Sequence, residues 1–268
     1  MEKPSFNLHS HTARCGHASG EDYEYVEAAR NAGFTEMGFS DHVMLPGVIQ
    51  DGIRGRYEEL PGYIESVLGL KETFKDSIRI HLGMEAEWYG DRFSDYYRYL
   101  LSRDDFEFLI LGQHCFIEDN CLHWYGMLPE EERLDRYEKD LIGGMESGLF
   151  TYVAHPDTYV RWQHSFTPRC VELAHNIATV AQRLQLPLEI NCAPSRSSNF
   201  PFYDASRLIY PCPEFWKIVA KYDVPVVLGV DAHSPNDYAK TDYQYFLRFA
   251  QSLGLKLLRN VPAFPALD

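Results

Sequence analysis

The run Val224-Pro225-Val226-Val227-Leu228-Gly229-Val230-Asp231-Ala232-His233 decides the fold. A strand's length of apolar sequence stops at an aspartate and a histidine. The same event recurs along the chain. The run ending at Leu8 leads into His9-Ser10-His11-Thr12-Ala13-Arg14-Cys15-Gly16-His17, Phe39-Ser40 into Asp41-His42, and Gly83-Met84 into Glu85. Likewise Leu111-Gly112-Gln113 leads to His114, and Val153-Ala154 to His155-Pro156. His9 and His11 share one face because strand side chains alternate.

Strand patterns fall at residues 5–9, 36–40, 78–84, 106–112, 150–154, 188–191 and 224–230. Amphipathic helical patterns lie between and after them, at 21–32, 57–74, 93–102, 130–147, 169–184, 214–221 and 243–253. Ser19-x-x-Asp22 reads as a capping box opening the first helix, and Gly33 closes it. Seven β-then-α units without a polar linker predict an α/β fold: a single domain over residues 1–268, built as a distorted (β/α)7 barrel of the TIM-barrel kind. Residues 256–258 form a weakly patterned eighth strand, and an open doubly wound sheet is the alternative. In a parallel barrel all strand C-termini meet at one rim, which gathers the histidines and acids there. Imidazole and carboxylate groups so gathered are metal ligands of the kind that suit Zn, Fe or Mn.

The bulk composition excludes several classes. The chain has 268 residues, 45% of them hydrophobic, and a formal net charge of −14, against a basic nucleic-acid face. No stretch approaches the roughly 18 apolar residues that span a bilayer, and Met1–Ser5 shows no apolar leader. The six cysteines, at 15, 115, 121, 170, 192 and 212, contain no C-x-x-C pair. They predict reduced thiols in a cytoplasmic protein.

Taken together, H-x-H-T with a following Cys-Gly-His, then Ser-Asp-His, Gly-x-Glu, Gly-x-His, Ala-His-Pro and Gly-x-Asp-Ala-His resemble the polymerase-and-histidinol-phosphatase (PHP) superfamily. The resemblance runs from residue 6 to about 235, and length and long loops liken the chain to its histidinol-phosphate phosphatases. It implies three divalent ions at the rim. His9, His11, Glu85 and Asp231 would hold the first; Glu85 would bridge to a second held by His114 and His155; His17, His42 and His233 would hold the third. The implied reaction is hydrolysis of a small phosphomonoester, L-histidinol phosphate foremost, by in-line attack of hydroxide held between the ions.

Other residues follow from chemistry. Arg161 and Arg196 sit on loops after the fifth and sixth strands and suit a phosphate, which a guanidinium matches bidentately. Asp231 and His233 are both candidates to protonate the leaving alkoxide. Glu87 is a candidate supporting or substrate group, and Asp41 a carboxylate to orient an imidazole or a surface acid. Loops 44–56, 115–128 and 193–212 are expected to wall the pocket, carrying Phe116, Trp124, Tyr125, Phe200, Phe202 and Tyr203 with Glu118 and Asp119, a lining suited to a flat cation. A nuclease or protein-tyrosine phosphatase of the same superfamily is the nearest alternative, and a non-catalytic metal-binding regulator the more distant one. Oligomeric state is not legible.

Overall fold

A computed structural model describes residues 2–118, 121–197 and 209–266. Strands β1 (Phe6–Asn7), β2 (Glu36–His42), β3 (Arg79–Ala86) and β4 (Phe108–Leu111) pair in that order, all parallel. Strands β5 (Cys115–Glu118) and β6 (Cys121–Trp124) form an antiparallel hairpin. Strands β7 (Leu188–Asn191), β8 (Pro225–Gly229) and β9 (Lys256–Leu257) make a second parallel sheet.

Single bridges join the two parallel sheets on both sides. Val153 pairs with Leu111 and with Leu188, and Ser10 pairs with Ala232. The His11 amide donates to the Ala232 carbonyl at 2.8 Å, and the Asn7 side chain accepts from the Val230 amide at 2.8 Å. The parallel strands therefore curl into a distorted barrel. The expected strand at 150–154 is reduced to ladder bonds around Val153, because Thr151 and Ala154 bond to β4 while Val153 bonds to Pro187. The weak eighth pattern is β9, which pairs with the first half of β8 only.

Around them lie the α-helices α1 (Asp22–Asn31), α2 (Leu60–Phe74), α3 (Asp91–Leu101), α4 (Glu130–Glu146), α5 (Pro168–Leu184), α6 (Pro213–Val219), α7 (Asp237–Lys240) and α8 (Tyr243–Ser252). The capping box of α1 is Glu21 with Glu24, not Ser19 with Asp22. Ser19 instead bonds through its main chain, its amide to the His233 carbonyl and its carbonyl to the Tyr25 hydroxyl.

Alternation along β4 separates two cores, as period two requires. Leu109 and Leu111 join the large cluster beneath the helices, with Tyr97, Leu141 and Ile177. Phe108 and Ile110 turn the other way and join Phe6, Leu8, Tyr152, Ala154 and Val227. Phe264 of the C-terminal tail stacks on Phe108 at 5.6 Å and packs edge-on to His81 at 5.2 Å, near the start of β3. One end of the barrel is thus filled with apolar side chains, which leaves the polar residues at the other.

His81 lies between two carboxylates, with Nδ1 2.7 Å from Glu107 and Nε2 3.1 Å from Glu36. Burial alone would raise the Glu107 carboxyl, but hydrogen bonds from His81 and Lys71 bring it from 4.5 to about 2. A carboxyl depressed on folding stabilises the protein above its unfolded pKa, and that contribution disappears as pH falls through the folded one. Between about pH 4.5 and 2 the urea midpoint of Glu107→Gln is therefore expected to fall less steeply than that of the parent; parallel curves would remove Glu107 from the acid response.

Candidate metal centre

Three ligands, Glu85, His155 and Asp231, are delivered through local devices. Glu85 stands near the end of β3, and a Cβ on Gly112 would lie 1.9 Å from its Oε1, so only glycine leaves the carboxylate room. His155 and Asp231 have positive φ, 30° and 51°. Non-glycine residues rarely adopt this conformation, and such strain concentrates where function needs a side chain aimed out of the regular strand direction.

The ligand atoms fall into groups. Two donors each about 2.1 Å from a tetrahedral ion stand about 3.4 Å apart. His9 Nε2 and His11 Nε2 are each 3.5 Å from Glu85 Oε2, and 3.5 and 3.3 Å from Asp231 Oδ1. Around the other oxygen of the same carboxylate, Glu85 Oε1 is 2.9 Å from His155 Nε2 and 3.4 Å from His114 Nε2, which are 3.2 Å from each other. A looser third group, His17, His42 and His233, keeps its donors within 4.8 Å, and His17 is exposed. The Cys15 sulfur falls within the same distance of His11 and His233.

All nine sequence-predicted ligands thus gather at the one rim. The cluster also lacks the hydrogen bonds that buried polar atoms ordinarily make. His9 Nε2, both nitrogens of His11, His42 Nδ1, Glu85 Oε2 and His233 Nε2 are buried without a hydrogen-bond partner among the described residues. Desolvated donors aimed at a common point fit a bound cation, and nitrogen with carboxylate oxygen fits a divalent metal.

The electrostatics tell the same story. Burial works against charge on His9 and His11, yet the carboxylates of Glu189, Asp231 and Glu85 raise His9 well above its ordinary value, and Asp231, Asp41 and Glu85 raise His11 to about 9. Burial and the neighbouring His11 charge lower His42, and bring His233 down to about 3. Against burial, the histidines hold Glu85 and Asp231 well below the usual carboxylate range. These buried anions require positive charge beside them, which a bound cation or protonated imidazoles can supply.

Supporting residues surround the cluster. Glu87 faces His114 Nδ1 at 3.2 Å and is gripped by the buried Arg54 at 2.9 and 3.1 Å. Burial would raise this carboxyl; Arg54 and His114 bring it to about 2. Glu87 therefore orients an imidazole. Asp41 faces an imidazole, that of His11: its Oδ1 is 3.6 Å from His11 Nδ1 and accepts the main-chain N–H of His42. Sequence reasoning gave the sixth strand no role at the metal, but Glu189 of β7 lies 2.8 Å from His9 Nδ1 and is fully buried. An acid inside the apolar run Leu188-Glu189-Ile190 was the available signal.

The two arginines occupy different positions. Arg196 donates to the main-chain carbonyls of Val230 at 2.7 Å and Asp231 at 2.8 Å, so it braces the turn that carries Asp231. Arg161 is exposed beside Tyr210, 5.8 Å from the ring centroid, and that ring lies 5.9 Å from His155. Tyr210 escaped the sequence reading. The loop expected at 115–128 contains the hairpin; Phe116 within it and Tyr125 just after it are buried packing groups, while Trp124 and Glu118 are exposed. Asp119, Phe200, Phe202 and Tyr203 lie outside the described residues.

Comparison with known proteins decides the family, for residues 7–193 match the PHP domain. The chain belongs to the PHP domain family. A relative from Deinococcus radiodurans, named a probable histidinol-phosphatase, is 29% identical over 243 residues, 85% of this chain and 86% of the relative. The histidinol-phosphatase of Bacillus subtilis is 28% identical over 89 residues, 31% of this chain and 33% of that protein. The crystal structure of histidinol phosphate phosphatase from Lactococcus lactis, complexed with zinc, L-histidinol and phosphate, superposes with a TM-score of 0.69 at 18% identity, covering 96% of each chain. At that identity the likeness establishes the fold.

Gly112→Ala tests the built cavity. The added methyl is expected to displace Glu85 and lower the metal bound per chain, measured by elemental analysis of the folded variant. Parental metal content would mean that Glu85 does not depend on the space at Gly112.

Proposed function

We propose that this chain is a metal-dependent phosphomonoesterase that hydrolyses L-histidinol phosphate to L-histidinol and phosphate. The observation that carries the reading is Glu85, whose two oxygens face two separate sets of imidazole nitrogens at 2.9–3.5 Å. A carboxylate so placed is suited to bridge two ions. The proposed ligands are His9, His11, Glu85 and Asp231 for the first, Glu85, His114 and His155 for the second, and His17, His42 and His233 for a third. Zinc, iron and manganese all suit these donors. Bound divalent cations supply a water of lowered pKa and neutralise charge on a phosphoryl group.

The chain's own residues supply the rest. Arg161, exposed at the rim near His155, is proposed to take the phosphate, with Tyr210 packing beside it. Arg196 is proposed to serve the substrate through the Asp231 turn that it braces. Asp231 or His233, 3.4 Å apart, is proposed to take the proton released by the attacking water and return it to the leaving alkoxide. The relative from Deinococcus radiodurans supports the substrate, and the zinc, L-histidinol and phosphate in the Lactococcus lactis crystal support the metal and product classes. A net charge of −14 favours a small substrate over a nucleic acid. Six unpaired cysteines favour the cytoplasm, and no described helix is long and apolar enough to cross a membrane.

Phosphate release from L-histidinol phosphate, other monoesters and a bis-ester tests the reading. Preference for L-histidinol phosphate is expected, with loss on chelation and recovery on adding Zn2+ or Mn2+. Turnover of the bis-ester alone would replace the phosphatase with a nuclease. His114→Ala and Asp231→Ala are expected at background rates, and normal hydrolysis by either would remove that residue from the site. Arg161→Met is expected to raise KM about 10- to 100-fold, the loss of one charge-assisted contact, while an unchanged KM would take Arg161 away from the phosphate.

A further inference from the structure

We infer that Glu189 and Asn191 of β7 are a positioning pair that sets His9 and Asp231 in the geometry the first ion requires. The inference rests on the metal reading of the site and is independent of the substrate. Glu189 Oε2 lies 2.8 Å from His9 Nδ1, and Glu189 Oε1 accepts from Asn191 Nδ2 at 2.8 Å. The same Asn191 nitrogen donates to Asp231 Oδ2 at 3.1 Å. His9, Glu189 and Asn191 are all fully buried. A continuous polar bridge therefore runs from a histidine after β1, through β7, to the aspartate after β8.

The orientation of each group follows. Asn191 Oδ1 accepts the Ala193 amide at 2.9 Å, so its NH2 must face the two carboxylates. Engagement of His9 Nδ1 by a carboxylate keeps that nitrogen protonated and leaves Nε2 free for the cluster, where it has no hydrogen-bond partner. Asp231 accepts through Oδ2, which leaves Oδ1 3.3 Å from His11 Nε2 and 3.5 Å from His9 Nε2. Both Glu189 oxygens are occupied, so it acts through His9 and not as a ligand.

The sequence accommodates this bridge at two places. A Cβ on Gly229 would lie 2.1 Å from Glu189 Oε2, so glycine on the neighbouring strand makes room for the carboxylate. Along β7 the intervening Leu188 and Ile190 belong to the core beneath the helices, so Glu189 and Asn191 share the opposite face. A carboxylate on the inner face, level with Val227 of the neighbouring strand, would be costly as a packing group alone.

Affinity for Zn2+ and for Mn2+, each added alone to metal-free protein in competition with a chromophoric chelator, tests the pair. Glu189→Gln, Glu189→Leu and Asn191→Ala are measured beside the parent, and metal-free thermal unfolding identifies folded variants. Folded variants are expected to bind cation about 10- to 100-fold more weakly, and Glu189→Gln to regain phosphate release when cation is raised to saturation. Parental affinity in the folded variants, even with a lowered melting temperature, would make the pair structural only and overturn the inference. If Glu189→Leu fails to fold, Glu189→Gln and Asn191→Ala decide. A parent that binds no cation would instead overturn the metal reading itself, and an inactive parent that binds cation would overturn only the substrate.

Discussion

One buried carboxylate sets the terms for the rest of the rim. Glu85 is 1% exposed and stands among five imidazoles, His9, His11, His42, His114 and His155, all within 3.5 Å of its oxygens. An anion at that depth is tolerable only if positive charge reaches it, because desolvation without a partner costs several kcal/mol. Here the histidines provide it, and a divalent ion would provide it more directly. The glycine at 112, the strained turns at His155 and Asp231, and convergence of the strands at one mouth all serve this arrangement.

The barrel solves a packing problem that the site creates. Nine ionisable side chains at one end contribute little apolar burial, so cohesion has to come from elsewhere. It comes from the Phe108 and Phe6 cluster inside the opposite end and from the large core beneath the helices. The ends of the cylinder are thus chemically polarised: phenylalanines stacked on the tail at one, carboxylates and imidazoles at the other. Parallel strands make such polarity possible, since every chain segment enters at the apolar end and leaves at the polar one.

Much of this was legible because each ligand interrupts an apolar run at its C-terminal end, as Val230-Asp231 and Ala154-His155 do. A change of residue class at an element boundary is a local signal. Glu189 gave a weaker one, since a lone acid within a strand also reads as the solvent side of an alternating pattern, and only the closed barrel makes both faces interior. Asp41 was legible as a carboxylate for an imidazole but not for which one: backbone alternation turns it away from the adjacent His42, and the ring that it meets, His11, follows another strand. The hairpin β5–β6 was hidden for a related reason: with four residues per strand, its pairing partner matters more than its pattern. Residues 150–154 had strand composition, but their neighbours supply ladder bonds chiefly at Val153.

The three ligand groups differ in how firmly the protein holds them. Two are braced from outside. Arg54 fixes Glu87, which faces His114 Nδ1, and Glu189 with Asn191 fixes His9 and Asp231 from across the barrel. Removing a brace leaves a buried charge without its partner, so each brace is coupled to the fold around it. The third group shares its carboxylates with the first, His42 Nδ1 lying 3.1 Å from Glu85 and His233 Nδ1 3.4 Å from Asp231, and its rings are otherwise oriented by main chain: His17 Nδ1 is 3.2 Å from the Cys15 carbonyl, and His233 Nδ1 is 3.2 Å from the carbonyl of Asp231. Main-chain carbonyls orient His17 and His233 but add no net charge of their own. Preorganisation is therefore graded across the rim, strongest around Glu85 and weakest at the exposed His17, on the side where solvent reaches the cluster.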